Sequence, residues 1–276
     1  MTIDIILISY NQEAYIAEAV NSILCQKVDD DVTLRLIVAD DVSTDRTLEI
    51  IQQHLAEANI QHIFLPKEKN VGYVQNYKQA FAACIGDYVA ILEGDDYWLE
   101  GHLQQHVDLF RSFPEVTMSM NSFNWINTDG RIGIRNWDAC GGVKMLQLED
   151  LIINGNCLGN LSACVFRTEL IKRLPEKFFL YNIADWEIGV FMAQYGRIAI
   201  LEEITSMYRL SNKGQWAGLS EKQKRSSIIK DLANIDRLFD RKYHTFCRKY
   251  EFKIKHPKLQ HIKHRCGVAL RSLFGK

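Results

Sequence analysis

The sequence lacks every segment that would carry the chain across a membrane. It contains no run of eighteen or more apolar residues, the length that a membrane-spanning helix requires. Its first residues lack the basic and then apolar pattern of a signal peptide. The seven cysteines are scattered and never spaced as CxxC, which favours reduced thiols over disulfides or a zinc site. We therefore expect a cytoplasmic protein.

Several nucleotide-binding and catalytic motifs are also missing. The sequence has no GxGxxG, no GxxxxGK[ST] and no GxSxG, which argues against a dinucleotide fold, a P-loop and a serine hydrolase. Only 4 prolines and no low-complexity tract leave little room for a flexible linker. What is present is a chain of 276 residues with 47% hydrophobic content, enough for one large domain with an appendage.

Charge is divided unevenly along the chain. Residues 221–276 have 16 Lys+Arg against 5 Asp+Glu (net +11), whereas residues 1–220 have 17 against 29 (net −12). We predict a basic helical extension at 221–276. This extension would bind an anionic membrane surface or form a solvated helical face. The sequence contains no recognisable nucleic-acid-binding motif, so we expect no nucleic-acid partner. Large apolar residues recur in this extension: Leu232, Ile235, Leu238, Phe239, Phe246, Phe252, Ile254, Leu270 and Phe274.

The first hundred residues alternate between short apolar runs and helical spacing. This order predicts an α/β fold, with a mostly parallel sheet covered by helices on both faces. The predicted strands are 3–9, 34–40, 60–66 and 88–92, separated by helices over 11–26, 48–55 and 74–84. Further on, the sequence predicts strands over 116–123, 158–166, 198–201 and 204–210. It also predicts a helix over 185–195 that buries Ile188, Phe191, Met192 and Tyr195.

The fourth predicted strand ends in an acidic cluster, Glu93, Asp95 and Asp96. Ligands of parallel α/β sheets bind at the carboxyl ends of strands. Carboxylates gathered there repel one another, so the cluster predicts a bound cation, and hard oxygen ligands suit Mg²⁺ or Mn²⁺ carrying a diphosphate. The alternative is that Asp96 only caps a helix over 98–113.

The first two strand ends suggest a nucleoside pocket. Tyr10 could stack on a base, and Asp40 and Asp41 could accept hydrogen bonds from a base or ribose. Alternatively, Asp41 forms an Asx turn with Ser43 and Thr44. A metal pair formed by His102 and His106, four residues apart, is the weaker competing site.

Four segments, taken together and in order, resemble the family 2 glycosyltransferases. They are SYNQEAYI (9–16), ADDVSTDRT (39–47), KNVGYVQNYKQAFAACIGDYVAILEGDDYW (69–98) and MYRLSNKGQWAGLS (207–220). The resemblance covers residues 1–220 and leaves the basic extension outside it. It implies the GT-A fold, a nucleotide-sugar donor and inverting chemistry.

The resemblance also implies a role for individual residues. It assigns the base and nucleoside contacts to Tyr10 and Asp41, supported by Glu13 and Asp40, and the diphosphate side to Asn76. Glu93–Asp96 is similar to the family's DxD-type metal motif, with Glu in the first acidic place, and we favour Asp95 and Asp96 as the metal ligands. The late segment that closes over the donor in relatives contains Arg209 and Trp216.

The catalytic base is predicted from NIADWEIGVFM (182–192). Inversion needs a carboxylate that takes the proton of the acceptor hydroxyl. Asp185 matches the second acid of the family's ED motif, and Ala184 replaces the first. Asp185 could also serve as the N-cap of the helix that begins there.

The sequence therefore predicts transfer of a sugar, with UDP as the expected carrier, to a glycan or lipid-linked acceptor. By analogy with single-domain relatives, the setting is bacterial surface polysaccharide synthesis (capsule, O-antigen or lipopolysaccharide), on the inner face of the membrane. The alternative is a non-catalytic nucleotide-binding or scaffold subunit of a polysaccharide assembly complex.

Overall fold

The computed structural model describes residues 1–135, 142–180, 184–210 and 219–256. The chain forms two compact units, Met1–Leu148 with Leu158–Ala217, and Glu149–Cys157 with Gly218–Lys276. The short segment 149–157 therefore groups with residues that follow it by some sixty positions. The division into domains at residue 220 stays a prediction.

The helices and strands follow one another in an order that begins as a regular alternation. In chain order they are β1 (Thr2–Ser9), α1 (Ile16–Leu24), β2 (Thr33–Asp40), α2 (Thr47–Leu55), β3 (Gln61–Phe64), α3 (Tyr73–Ala83), β4 (Tyr88–Glu93), β5 (Tyr97–Trp98), α4 (His102–Ser112), β6 (Val116–Asn127), β7 (Ile132–Arg135), β8 (Val143–Leu146), α5 (Leu148–Ile153), β9 (Cys164–Arg167), α6 (Thr168–Ile171), α7 (Asp185–Met192), β10 (Arg197–Leu210), α8 (Glu221–Leu238) and α9 (His244–Lys255). Single 3₁₀ segments lie at Leu161–Ala163 and Glu176–Leu180.

One sheet joins the strands in the order β3-β2-β1-β4-β9-β6-β10-β5, with β7 paired to β6 and β8 to β10. The pairs β1/β2, β1/β4, β2/β3 and β6/β10 are parallel. β9 enters between β4 and β6 in the antiparallel direction. The predicted α/β fold with a mostly parallel sheet is confirmed.

Both faces of the central strands are buried, as their continuous apolar runs require. Ile3, Ile5 and Leu7 of β1 share a core with Ile16 and Val20 of α1. The alternate residues of the same strands are also buried, and α3 lies against β1 and β2. A β-strand directs successive side chains to opposite faces, so this sheet needs a helical layer on each side.

The first helix begins later than predicted, at Ile16 and not at Asn11. Residues 10–15 form a loop that is fastened to the entry of α2. The Asn11 amide donates to Ser43 Oγ at 2.9 Å, and the Gln12 amide donates to Thr47 Oγ1 at 2.7 Å. The loop thus joins the carboxyl ends of β1 and β2, which the sequence predicted to be neighbours.

The predicted helix over 98–113 was wrong in its first turn. Tyr97 and Trp98 instead pair with Met207 and Ser206 of β10, and α4 begins after Gly101, whose φ of 81° favours glycine. Asp96 therefore does not cap this helix, and the capping alternative is excluded.

The second half of the first unit departs from prediction at several boundaries. β10 is one strand with an irregular register between Leu201 and Ile204, where two strands were predicted. β6 continues to Asn127 and forms a hairpin with β7. α7 ends at Met192, so Tyr195 lies beyond it and is 51% exposed, not buried as predicted.

His102 and His106 are core residues. Both are fully buried: Nδ1 of His102 lies 3.0 Å from Thr205 Oγ1, and Nδ1 of His106 lies 2.6 Å from Ser119 Oγ. Burial lowers the pKa of both imidazoles, that of His106 to about 3, so both rings are neutral near pH 7. Neither joins a group of three or more metal-ligating side chains among the described residues.

The second unit contains the described part of the basic extension. α8 begins with a capping box in which Ser220 and Gln223 satisfy each other's backbone amides. Four of the large apolar residues predicted to be available to a membrane are buried: Leu232, Ile235, Leu238 and Phe239. Phe252 on α9 is 57% exposed. Within the described ranges, no helix combines the length and the hydrophobicity needed to cross a bilayer.

Candidate active site

A cleft of about 420 Å³ opens at the carboxyl ends of β1, β2 and β4. Five of the predicted site residues line it: Tyr10, Asp41, Asn76, Glu93 and Asp95. Gln12, Asn70, Gly72 and Tyr73 complete the polar part of the wall. The parallel strands thus bring together side chains separated by up to 85 positions in the sequence, at the edge of the sheet where the sequence predicted a ligand.

Asp40 fastens the two loops that follow β1 and β2. Its carboxylate accepts hydrogen bonds from Ser9 Oγ at 2.9 Å and from the Ser43 amide at 2.9 Å. The Asx-type turn predicted for Asp41 is therefore made by Asp40. Glu13, which is exposed, accepts from the Arg46 amide at 3.1 Å. Both acids thus bind backbone amides of the loop after β2, and their supporting role in nucleoside binding stays a prediction.

Left-handed backbone flanks the cleft in both loops. Asn11 has φ 52° and Val42 has φ 61°. Asparagine tolerates this region, but a β-branched valine there is a true outlier. Such strain persists only where surrounding contacts fix it, and it concentrates at binding sites.

Asp41 orients the turn before α3. Its two carboxylate oxygens accept from the amides of Val71 at 2.9 Å and Gly72 at 2.8 Å. Asn76, one helical turn on, donates from Nδ2 to the carbonyl of Ala39 at 2.7 Å. Its Oδ1 is buried and has no hydrogen-bond partner among the described residues. A buried acceptor without a donor is unfavourable, and a ligand hydroxyl or amine in the cleft would satisfy it.

The acidic cluster of Glu93, Asp95 and Asp96 offers three carboxylate oxygens within 4.8 Å of one another. Burial raises the pKa of all three carboxyl groups. Repulsion by Asp95 raises it further for Glu93, to about 7, and for Asp96. Three hard oxygen donors that destabilise one another as anions are the donor set that a divalent cation such as Mn²⁺ or Mg²⁺ would stabilise.

The three carboxylates differ in their hydrogen-bond partners and in their exposure to the cleft. Glu93 accepts from the hydroxyl of Tyr77 at 2.9 Å and of Tyr73 at 3.4 Å. Asp96 is fully buried and accepts from Ser162 Oγ at 2.6 Å and the Arg209 amide at 2.9 Å. Glu93 and Asp95 line the cleft, whereas both oxygens of Asp96 already accept protein hydrogen bonds.

Arg209 fastens the acidic loop to β10. Its guanidinium donates to the carbonyl of Asp95 at 2.9 Å and forms an ion pair with Glu18. It also lies over the rings of Tyr15, at 4.9 Å, and Tyr97, at 5.0 Å. These contacts make Arg209 a positioning residue for the cluster, and direct contact with the donor stays a prediction. Trp216 lies outside the described residues.

Asp185 stands at the first position of α7, after Ala184 as the N-cap. Asp185 is therefore not the N-cap residue, so the capping alternative was wrong. Its carboxylate instead accepts from the Gly159 amide. Its charge contributes to the raised pKa of Glu93, which places Asp185 within electrostatic reach of the acidic cluster.

Three tyrosines near the acidic cluster, Tyr73, Tyr77 and Tyr208, were not predicted from the sequence. Burial raises the pKa of the Tyr208 hydroxyl, and the charges of Asp96, Glu93, Asp95 and Asp185 raise it further, so this phenol lies within electrostatic range of all four carboxylates. Tyr73 and Tyr77 occupy one face of α3 at i and i+4, directly after the Gly72 turn. The i, i+4 spacing after Gly72 could have identified Tyr73 and Tyr77 as site residues. The position of Tyr208 directly before Arg209 could have identified Tyr208.

The architecture and the ordered acidic motifs agree with a sequence comparison. The profile described as Glycosyl transferase family 2 matches residues 4–173, more than half of the chain. The chain belongs to glycosyltransferase family 2. The motifs at the ends of β1, β2 and β4 all fall within the matched range, so the cleft described above is the part of this glycosyltransferase that it shares with the family.

Two curated relatives match different shares of this chain. An uncharacterized protein of Mycobacterium tuberculosis is 31% identical over 215 residues, which cover 77% of this chain and 60% of that protein. The putative teichuronic acid biosynthesis glycosyltransferase TuaG of Bacillus subtilis is 30% identical over 129 residues, 46% of this chain and 49% of that one. The aligned part is thus about 60% of the length of the mycobacterial relative.

Solved structures share the fold at low identity. Staphylococcus aureus TarS 1–349 in complex with UDP-GlcNAc has a TM-score of 0.60 at 19% identity, covering 86% of this chain and 66% of that one. The mannosyltransferase PcManGT of Pyrobaculum calidifontis, in complex with GDP-Man and Mn²⁺, has a TM-score of 0.59 at 13% identity, covering 99% and 76%. The GT-A fold is confirmed.

Proposed function

We propose that this family 2 glycosyltransferase transfers one sugar from a UDP-sugar to a hydroxyl of a glycan or lipid-linked acceptor, with inversion at the anomeric carbon. One observation carries the proposal. A cleft of about 420 Å³ at the carboxyl ends of parallel strands is lined by Glu93 and Asp95, whose carboxylate oxygens lie within 4.8 Å of each other and of an oxygen of the buried Asp96.

Within the cleft, Tyr10 and Asp41 would receive the nucleoside. Tyr10 is 47% exposed, which leaves its ring face available to a base. The carboxylate of Asp41 is oriented by two backbone amides and retains acceptor capacity for ribose or base donors. Asn76, with its unsatisfied buried oxygen, would face the sugar-diphosphate side.

Asp185 would act as the general base. In a direct displacement, the bond from the acceptor oxygen to the anomeric carbon forms while the bond to the diphosphate breaks, and the hydroxyl proton passes to Asp185. The amide of Gly159 and the first turn of α7 both favour the ionised carboxylate that this role needs.

The residues present suit a divalent ion. Asp95 and Glu93, which face the cleft, would hold Mn²⁺ or Mg²⁺, and Asp96 would contribute a lone pair that its two hydrogen bonds leave available. When bound, such an ion supplies positive charge for the departing diphosphate. Tyr77 and Arg209 fix the positions of these ligands.

The names of similar proteins support the donor and the setting. TarS was solved with UDP-GlcNAc, PcManGT with Mn²⁺, and TuaG is named for teichuronic acid biosynthesis. For this chain we propose UDP as the carrier, Mn²⁺ or Mg²⁺ as the cofactor and bacterial surface polysaccharide synthesis as the setting.

The proposal is tested by incubating the purified chain with Mn²⁺ and a panel of UDP-sugars and measuring release of UDP. We expect slow hydrolysis of one donor, abolished by EDTA and restored by Mn²⁺. A GDP-sugar panel provides the matched control for the base. If UDP raises the melting temperature but no donor is hydrolysed or transferred, the scaffold alternative is supported instead. A chain that binds no nucleotide contradicts both.

We also propose that the basic extension holds the enzyme on an anionic membrane surface. Phe252 is exposed on α9, and its neighbours one turn away include Arg248, Lys249 and Lys255. An apolar side chain surrounded by cations is the composition that inserts at an interface rich in anionic lipid. Because Leu232, Ile235, Leu238 and Phe239 of the described part of the extension are buried, we expect electrostatic attraction to dominate binding.

Flotation with vesicles of phosphatidylglycerol and phosphatidylcholine measures this binding. We expect it to require phosphatidylglycerol, to fall steeply with added salt and to weaken in Phe252→Ser. Tyr195→Ser is the matched control, since Tyr195 is an exposed aromatic of the first unit. Binding that is independent of anionic lipid, or absent at low salt, contradicts the proposal.

A further inference from the structure

One face of the hairpin formed by β6 and β7 carries aromatic side chains and an arginine, and this face lies near Asp185. Arg135 pairs in register with Phe123, Gly133 pairs with Trp125, and Trp125 pairs with Tyr208 across β10. Residues in register on neighbouring strands direct their side chains to the same face. One surface therefore presents Trp125, Tyr208 and Arg135, and we name it the hairpin face.

The hairpin face borders the proposed catalytic base. A Cβ added to Gly159 would lie 3.4 Å from the Phe123 ring and 3.5 Å from the Arg135 guanidinium. The amide of the same Gly159 donates to the carboxylate of Asp185. Gly159, with φ 94°, thus lies between Arg135 and Asp185, and it permits the close approach because it has no side chain.

Trp125 lies flat on the hairpin. Any Cβ at Gly133 would collide with its indole, so the ring covers the β7 backbone at that point. The side chain is half-buried and its other ring face is not needed for this contact. A flat aromatic surface on the same face as Arg135, which itself lies near Gly159, is suited to the apolar face of a sugar ring.

None of the residues of the hairpin face lines the cleft assigned to the nucleotide. Tyr208 stands between the two regions: its ring is edge-to-face with Phe123 at 6.1 Å, and the following residue, Arg209, binds Asp96. The hairpin face therefore lies outside the nucleotide cleft and next to Gly159, whose amide binds Asp185, which is where an acceptor would approach the proposed base.

Charge indicates the class of acceptor. Four carboxylates, Glu93, Asp95, Asp96 and Asp185, act on this centre, and they would repel an anionic glycan. Arg135 places a permanently charged, planar donor group beside them, suited to two parallel hydrogen bonds with a carboxylate or phosphate.

We propose that the hairpin face binds the acceptor sugar, with Trp125 against the ring and Arg135 paired with an anionic substituent, so that this enzyme prefers an acidic acceptor glycan. This inference rests on the proposed function and adds the acceptor class to it. A uronic acid and a sugar phosphate share the required chemistry.

Saturation-transfer NMR on the full chain with UDP and Mg²⁺ tests the preference. The probes are methyl β-glucuronide, glucose 6-phosphate and the neutral methyl β-glucoside. We expect the wild type to bind at least one acidic probe more tightly than the neutral probe, and which one it binds distinguishes carboxylate from phosphate. In Arg135→Gln, affinity for the acidic probe should fall about tenfold while the neutral probe is unchanged. Trp125→Ala should weaken both classes.

Arg131→Gln is the matched control, since Arg131 is an exposed arginine at the tip of the same hairpin. Arg135→Lys keeps the charge without the planar fork and should lie between wild type and Arg135→Gln. If Arg135→Gln does not fold, the affinities of Arg135→Lys for the acidic and neutral probes test the inference in its place.

Equal binding of acidic and neutral probes by the wild type, binding of none of them, or equal loss for acidic and neutral probes in the Arg135 variants overturns the inference. The last result would make Arg135 a counterion of Asp185. UDP-sugar hydrolysis by the wild type is measured separately, so the proposed function can survive the loss of this inference.

Discussion

Replacing Asp185 by asparagine is expected to lower kcat for sugar transfer by roughly 10²–10⁴-fold, the usual contribution of a general base. Asparagine has the same size, and its Oδ1 can still accept from the Gly159 amide, so the local fold should persist. What it loses is the capacity to take a proton from the acceptor hydroxyl. The measurement is transfer kinetics at saturating donor, together with UDP affinity by calorimetry.

The donor affinity of Asp185→Asn should stay near that of the wild type, because Asp185 does not line the nucleotide cleft. Asp30→Asn is a control for the carboxylate-to-amide change at an exposed position in the loop before β2. Transfer by Asp185→Asn at the wild-type rate would assign the base to another residue. Loss of UDP affinity in the same variant would show that Asp185 acts in binding.

Replacing Asp95 by asparagine is expected to weaken Mn²⁺ binding by at least about 10–100-fold, the range that even outer-sphere changes produce. Asp95 combines exposure to the cleft with a raised pKa and two close carboxylates. Removing its charge removes a ligand. The direct readout is the melting temperature with UDP alone and with UDP plus Mn²⁺: the extra increase that Mn²⁺ gives to the wild type should disappear.

The same substitution should stabilise the metal-free protein. Asp95 repels Glu93 and Asp96, and the neutral amide ends that repulsion. We therefore expect Asp95→Asn without metal to melt at a higher temperature than the metal-free wild type, the trade of stability for function seen at many active sites. The exposed Asp30→Asn should change neither the melting temperature of the metal-free protein nor the increase that Mn²⁺ produces. A metal-dependent increase that survives in Asp95→Asn would remove the assignment of this cluster as the metal site.

Local sequence patterns predicted the part of the site that strand ends alone position. The runs that became β1, β2 and β4 place Tyr10, Asp41 and Glu93 at one edge, because parallel strands with crossover helices must align their carboxyl ends. Asn76 was implied only by the resemblance to the family, and the structure places it on α3 after Gly72, on the wall of the cleft.

Contacts between distant parts of the chain account for what the sequence did not reveal. Asp96 was predicted from its neighbours as a metal ligand or a helix cap, yet its partners are Ser162, 66 positions away, and Arg209, 113 positions away. Arg209 in turn meets Glu18 across 191 positions. The spacing of residues along the sequence does not reveal contacts between positions so far apart. The hydrogen bonds that hold the acidic loop were therefore found only in the structure.

The spacing of apolar residues in the basic extension was also insufficient to predict what those residues contact. Leu232 and Ile235 have the spacing of a buried helical stripe, and the same spacing fits a helix lying on a membrane. The sequence does not distinguish the two environments. Burial decides for Leu232 and Ile235 in favour of a protein core, and leaves Phe252 as the exposed member.

The attachment of Asp95 and Asp96 to Arg209 also limits how β10 can change in length. An insertion or deletion between Ser206 and Arg209 would move the guanidinium and amide that hold the acidic loop, and so would displace the carboxylates without altering any of them. The irregular register between Leu201 and Ile204 lies upstream, where the pairing with β6 already departs from regularity. The register shifts once more between Ile204 and Ser206 and is regular from Ser206 onward, so a change in the length of this strand should be tolerated before Ser206 and not between Ser206 and Arg209.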